Sequence, residues 1–152
     1  MLSYEGIFFD EETTKLLQSL EPEHLEKTSD ELHCTFKYRP VPDEIFDEIV
    51  GKEVELLVIG YGNDGKNSGF QVQLPEWIME YYINYDEDVP EKLKVPHITI
   101  SLAKDAIAAK TKDLSFRPLI KPFKIKGKFG YWIKEKGKGY TSYEPYKKNV
   151  LQ

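Results

Sequence analysis

"LHCTFKYRP", residues 32–40, poses the question that decides the fold, and "VPHITISLA", residues 95–103, repeats it. Each places a histidine and a threonine two positions apart within an apolar, β-prone run. Side chains alternate faces along a strand, so His33 and Thr35 share one face, and His97 and Thr99 share one face. Cys34, Phe36, Ile98 and Ile100 then point the opposite way, where they can enter a core. Two of the three histidines in the chain are used in this arrangement.

Working outward, residues 3–10 ("SYEGIFFD") are short, aromatic and β-branched, as in a strand. Asp10 opens a helix with early acids, an apolar stripe of Leu16, Leu17 and Leu20, and a stop at Pro22. A polar connection leads to the first His-x-Thr strand, residues 32–38. Residues 41–52 have Pro42 and Asp43 at one end and Gly51 at the other, the marks of a short helix. Strands at 53–62 and 69–75 flank "GNDGKNSG", whose Asn, Asp and Gly residues favour a hairpin. Residues 76–85 are expected to be helical, with a strand as the alternative that their aromatic content allows, and 86–96 to form a loop that delivers the second motif. A short helix or turn is expected at 105–111. A long strand at 121–135 has Phe123, Ile125, Phe129, Tyr131 and Ile133 on one face, opposite Lys124, Lys126, Lys128 and Trp132. The tail from 136 onward is too rich in Gly and Tyr to assign. The loose repetition of helix, polar connection and His-x-Thr strand suggests two pseudo-symmetric lobes within one α+β domain, residues 1–152.

At 152 residues the chain fits one domain with a sizeable core. Its 40% hydrophobic and 31% charged residues are a globular balance. A net charge of −5 opposes coating of extended DNA or RNA, although a local basic patch could hold a small anion. Cys34 is the only cysteine, which excludes an intramolecular disulfide and Cys-based zinc modules. "MLSYEGIFFDEE" has no basic segment followed by a long apolar run, and no stretch reaches the roughly 20 apolar residues of a membrane span. A soluble, cytoplasmic protein is expected.

If the two motif strands meet, two imidazoles and two hydroxyls share a groove. That set suits transfer at phosphorus. A neutral imidazole takes a proton from the attacking oxygen and a protonated one gives a proton to the departing oxygen. The threonine hydroxyls can donate to the non-bridging oxygens, where charge develops. No metal or other cofactor is required. A single His-x-Thr is ordinarily a locally hydrogen-bonded histidine; the matched pair makes a shared site the sharper reading. A zinc site would need a third ligand at suitable spacing, and neither an HExxH nor a G-x-S-x-G is present.

"HCTF" and "HITI" resemble the paired H-x-[ST]-x motifs of the 2H phosphoesterase superfamily, which includes the LigT-like proteins and cyclic phosphodiesterases. Motif separation and chain length are similar to the family's, and "KIKGKFGYW" resembles the segment that follows its second motif. The resemblance implies a bilobal fold, with two antiparallel sheets around a central cleft, flanking helices, and both motifs on the cleft floor. It also implies metal-independent cleavage of phosphodiesters: 2′,3′-cyclic phosphates, RNA ends, or cyclic nucleotides and oligonucleotides, including nucleotide alarm signals. His33 and His97 would be the acid–base pair, in either order, and Thr35 and Thr99 the phosphate holders. The partner would be a small nucleotide or an RNA end. The acidic balance favours the former.

Lys37, on the predicted face of His33, and Ser101, on that of His97, are further candidates for phosphate contact. Tyr4 could stack on a base. Residues 121–138 carry seven lysines and one acid, with Tyr131 and Trp132 interleaved. This run could hold a phosphate and stack a base, or it could be the solvated face of a strand whose lysines discourage aggregation. A non-catalytic nucleotide- or RNA-binding module on the same fold is the alternative to an enzyme, and an interaction protein with core histidines is another.

Overall fold

The computed structural model describes residues 1–82 and 95–147. The chain begins with strand β1 (Leu2–Phe8) and helix α1 (Glu11–Leu20). Asp10 caps the helix, its carboxylate accepting the Thr13 N–H at 2.8 Å. The buried face of α1 is Thr14 and Leu17, while Leu16 and Leu20 are both 46% exposed, so the expected leucine stripe is corrected. Thr14 sets this orientation: its hydroxyl accepts the Leu32 N–H at 3.2 Å, turning the 14/17 side toward the approach to the first motif.

A two-residue strand, β2 (Lys27–Thr28), precedes β3 (His33–Tyr38). The helix expected at 41–52 is instead a 3-10 turn at Pro42–Glu44 followed by further turns to Gly51. Ile45 and Ile49 are buried as a helix would bury them. Asp47, however, accepts the Tyr131 hydroxyl at 2.6 Å and the backbone N–H groups of Tyr146 and Lys147 at 2.7 and 2.9 Å. Those bonds hold the segment in i→i+3 turns such as Ile49 N–H to Phe46 C=O, 3.1 Å. Gly51 closes it at φ +82°, where a side chain would be strained.

Strands β4 (Glu53–Asn63) and β5 (Asn67–Gln73) form the expected hairpin. Its turn is held by Asp64, whose carboxylate accepts the N–H groups of Lys66 and Asn67 at 2.9 and 2.8 Å. One helical turn, α2 (Glu76–Met79), follows; the rest of the helix expected to residue 85, and most of the loop expected at 86–96, fall outside the described residues. Strand β6 (His97–Leu102), a 3-10 segment (Ala108–Asp113), β7 (Arg117–Glu135) and β8 (Lys138–Ser142) complete the chain.

The fold is α+β, with little helix and one antiparallel sheet in the order β2-β6-β5-β4-β7-β1-β3, to which β8 adds beside β7. The sheet is one hydrogen-bonded path, not two separate ones. Its halves are joined through β7, whose residues 117–128 pair with β4 and residues 128–133 with β1. The buried face of β7 is as expected, with Ile125, Phe129, Tyr131 and Ile133 all in the core. The path curls until β3, one edge strand, approaches β6 near the other end. At that seam the His97 backbone N–H donates to the Cys34 sulfur.

Candidate active site

The two motif strands are built alike. Cys34, Phe36, Ile98 and Ile100 are buried at 1% exposure or less, while His33, Thr35, His97 and Thr99 are half-buried and line one cleft of about 680 Å³. In β3, Gly6 opposes Thr35 and Glu5 opposes Lys37, so Phe36 is an extra residue. In β6, Gly69 opposes Thr99 and Ser68 opposes Ser101, so Ile100 is extra. Each motif thus carries a β-bulge at its fourth residue, immediately after the threonine. A glycine faces each threonine because nothing larger fits. A Cβ at Gly6 would collide with the Cys34 carbonyl, and one at Gly69 would lie 2.8 Å from the Ile98 carbonyl oxygen.

The imidazoles are held alike as well. The His33 ring donates to the Glu31 carbonyl, and His97 Nδ1 lies 2.7 Å from the Val95 carbonyl oxygen. A carbonyl can only accept, so Nδ1 of His97 carries a hydrogen. Burial pushes the His33 pKa down to about 4, assisted by the charge of His97 and opposed by the Glu31 carbonyl. That mutual repulsion is the electrostatic sign that the two rings share a site. Burial also pushes the Cys34 thiol up to about 12, which leaves it a neutral core group.

One wall of the cleft is aromatic. The Tyr4 ring lies 4.7 Å from His33, and Trp132 stacks on Tyr4 at 6.1 Å and 15°. Tyr38, more than half exposed, lies 6.3 Å from Tyr4 on the cleft rim. Burial, then the charge of Glu31, raises the Tyr4 phenol pKa, so Tyr4 serves as a neutral ring. The other wall combines Lys27 and Thr28 of β2 with Ile107 and Lys112 of the segment after β6. Those residues were not anticipated, since a two-residue strand and a 3-10 turn have no periodicity to read.

The weaker candidates are placed differently. Lys37 and Ser101 stand just beyond the bulges, where strict alternation no longer applies, and neither lines the cleft. Lys37 pairs loosely with Glu44 at 4.0 Å. Ser101 is buried and donates to Glu21 at 2.7 Å, beside Ser68, whose hydroxyl also donates to Glu21. Leu102, one residue on, takes the place on the cleft wall that alternation gave to Ser101. Tyr131 is wholly buried on the core face of β7, with its hydroxyl on Asp47. Trp132 touches the site only through Tyr4. The third histidine, His24, pairs with Glu21 at 3.0 Å away from the cleft lining. Within the lysine run, Lys124 and Lys126 face Glu55 and Glu53 across β4 at 3.7 and 3.5 Å, a paired and solvated strand face.

Among the described residues no cluster of three His, Cys, Asp or Glu side chains is placed to hold a metal ion, and no helix is long and apolar enough to cross a membrane. No family model matches the chain, and no curated protein matches it significantly.

Proposed function

We propose that this protein is a 2H-type phosphodiesterase that cleaves a nucleotide phosphodiester without a metal ion. The observation that carries the reading is the convergence of His33, Thr35, His97 and Thr99, from strands far apart in sequence, on one cleft. The matching bulges, glycines and ring-to-carbonyl bonds support treating β1–β3 and β5–β6 as corresponding lobes of a pseudo-symmetric, bilobal fold. The substrate is a cyclic nucleotide or cyclic oligonucleotide, or the 2′,3′-cyclic phosphate of an RNA end. A role in removing a nucleotide immune signal, in the cytoplasm, is in keeping with it.

In this reading His33, kept neutral by burial, takes the proton of the attacking oxygen, either water or a ribose hydroxyl. His97 gives a proton to the departing ribose oxygen as its bond to phosphorus breaks. Thr35 and Thr99 donate to the non-bridging oxygens. Tyr4, backed by Trp132, offers a flat neutral face to a base.

The test is hydrolysis, with EDTA present, of a panel of 2′,3′-cyclic mononucleotides, 2′–5′ dinucleotides and cyclic di- and trinucleotides. Turnover should resist chelation and vanish in both His33→Ala and His97→Ala. Turnover that survives both substitutions, or that EDTA abolishes, would overturn the mechanism. Binding by a chain with no turnover on any panel member would favour a nucleotide-binding module.

A further inference from the structure

Thr99 is not alone at its end of the cleft. Its hydroxyl donates to that of Thr111 at 2.9 Å, and Thr111 is completely buried. Thr111 Oγ1 also accepts from Asn67 Nδ2 at 3.0 Å. The second hydrogen of that amide goes to the Ile107 carbonyl at 2.9 Å, and Asn67 is itself 1% exposed. Because a carbonyl only accepts, the amide orientation is fixed, and Asn67 is a donor to Thr111. Thr111 stands this close to the motif strand because position 69 is glycine; a Cβ there would come within 2.8 Å of Thr111 Cγ2.

A pair of hydroxyls can reverse its donor direction without moving either oxygen. When Thr99 turns its hydrogen to an anionic oxygen in the cleft, its own oxygen becomes an acceptor. Thr111, already holding the Asn67 hydrogen, then turns its hydrogen to Thr99. All three groups stay satisfied, and each bond strengthens the next. We propose that Asn67 and Thr111 are positioning residues that relay a donor chain through Thr99 to a phosphate oxygen of the ligand. The inference rests on the phosphate-holding role given to Thr99 above.

The experiment measures the affinity of the full chain for inorganic phosphate, by calorimetry, beside turnover of whichever panel diester is cleaved. The proteins are wild type, Thr99→Val, Thr111→Val, Thr111→Ser and the Thr99→Val/Thr111→Val double variant, with thermal midpoints recorded. Thr99→Val and Thr111→Val should each weaken phosphate binding by about three- to tenfold, the usual effect of one hydrogen bond. Thr111→Ser should bind like wild type, and the double variant should be no weaker than Thr99→Val alone. A purely structural Thr111 would lower the midpoint but leave phosphate affinity unchanged, or add its loss to that of Thr99→Val; either result overturns the relay. Failure of wild type to bind phosphate overturns it too. If the relay pattern holds for phosphate while His33→Ala and His97→Ala leave turnover untouched, the relay stands and the phosphodiesterase mechanism falls.

Discussion

Replacing His33 with glutamine should change how stability depends on pH, by an amount set by the cleft. In the unfolded chain the imidazole titrates near 6.5, and in the folded chain its pKa is pushed down to about 4 by burial and by the charge of His97. Between those values the unfolded chain binds one more proton at this position. Stability from the neutral ring is therefore fully present above pH 6.5 and is lost as pH falls toward 4. The gap corresponds to about 3 kcal/mol as the upper limit for this group, at about 1.4 kcal/mol per pH unit. Glutamine keeps a donor for the Glu31 carbonyl and cannot titrate. Urea unfolding at intervals from pH 4 to 7.5 gives the two curves. Carboxylates bend both in the same way, so the difference between them isolates His33. Wild type should lose up to about 3 kcal/mol relative to His33→Gln across that range. His97→Gln should shrink this loss and complete it at a higher pH, because removing one source of repulsion raises the folded-state pKa of His33 toward 6.5. A difference that stays constant with pH would mean that water solvates the His33 ring freely, and the desolvation argument would fail.

Other substitutions probe the surroundings. Burial, with added repulsion from Glu44, Asp47 and Glu48, pushes the Glu5 pKa from 4.5 up to about 8, so stability should fall as pH rises between those values. Glu5→Gln should remove that slope and gain on the order of 4 kcal/mol over wild type at pH 9 relative to pH 4, read by chemical denaturation. Gly6→Ala would drive a methyl into the Cys34 carbonyl and should cost about 3 kcal/mol with loss of turnover; unchanged stability would show that β1 and β3 are not so closely paired. Tyr4→Ala should raise KM more than it lowers kcat on a preferred diester, whereas Tyr4→Phe should resemble wild type. A large loss in Tyr4→Phe would point to a role for the hydroxyl.

Both motifs were legible because alternation over three residues is enough to put His and Thr on one face and Cys34 or Ile98 in the core. The Asp10 cap, the 53–75 hairpin and the buried face of β7 were legible for similar reasons, each being a local pattern with a local cause. Alternation held through Phe36 and Ile100 but failed at Lys37 and Ser101, two residues beyond each threonine. The bulges depend on register against β1 and β5, and hence on Gly6 and Gly69, which are distant in sequence from at least one motif. Asp47 gave no local sign that it would bind the backbone at residues 146 and 147, and so the turns at 41–52 read as a helix. β8 was hidden in a tail without periodicity. It nevertheless matters to the site, since Thr141 donates to Glu31, the residue whose carbonyl holds the His33 ring.

The two half-sites share a frame but not an environment, and this asymmetry bears on the order of the proposed proton transfer. Two equivalent imidazoles that repel each other lose their protons in two steps, but nothing fixes which of them keeps the shared proton. Here the frame repeats down to the bulge, the opposing glycine and the carbonyl two residues before each histidine. What differs is what packs around it. His33 has Tyr4 at 4.7 Å and Phe8 at 5.7 Å, an apolar setting that penalises its charge. His97 has Phe116 at 6.3 Å, and the threonine of its own motif is tied to a buried donor chain. In the proposed mechanism the apolar setting of His33 makes it the neutral ring, suited to accept a proton. The repeated frame brings two equivalent sets of groups together, and in the proposed mechanism the unequal packing around them would give proton transfer its direction.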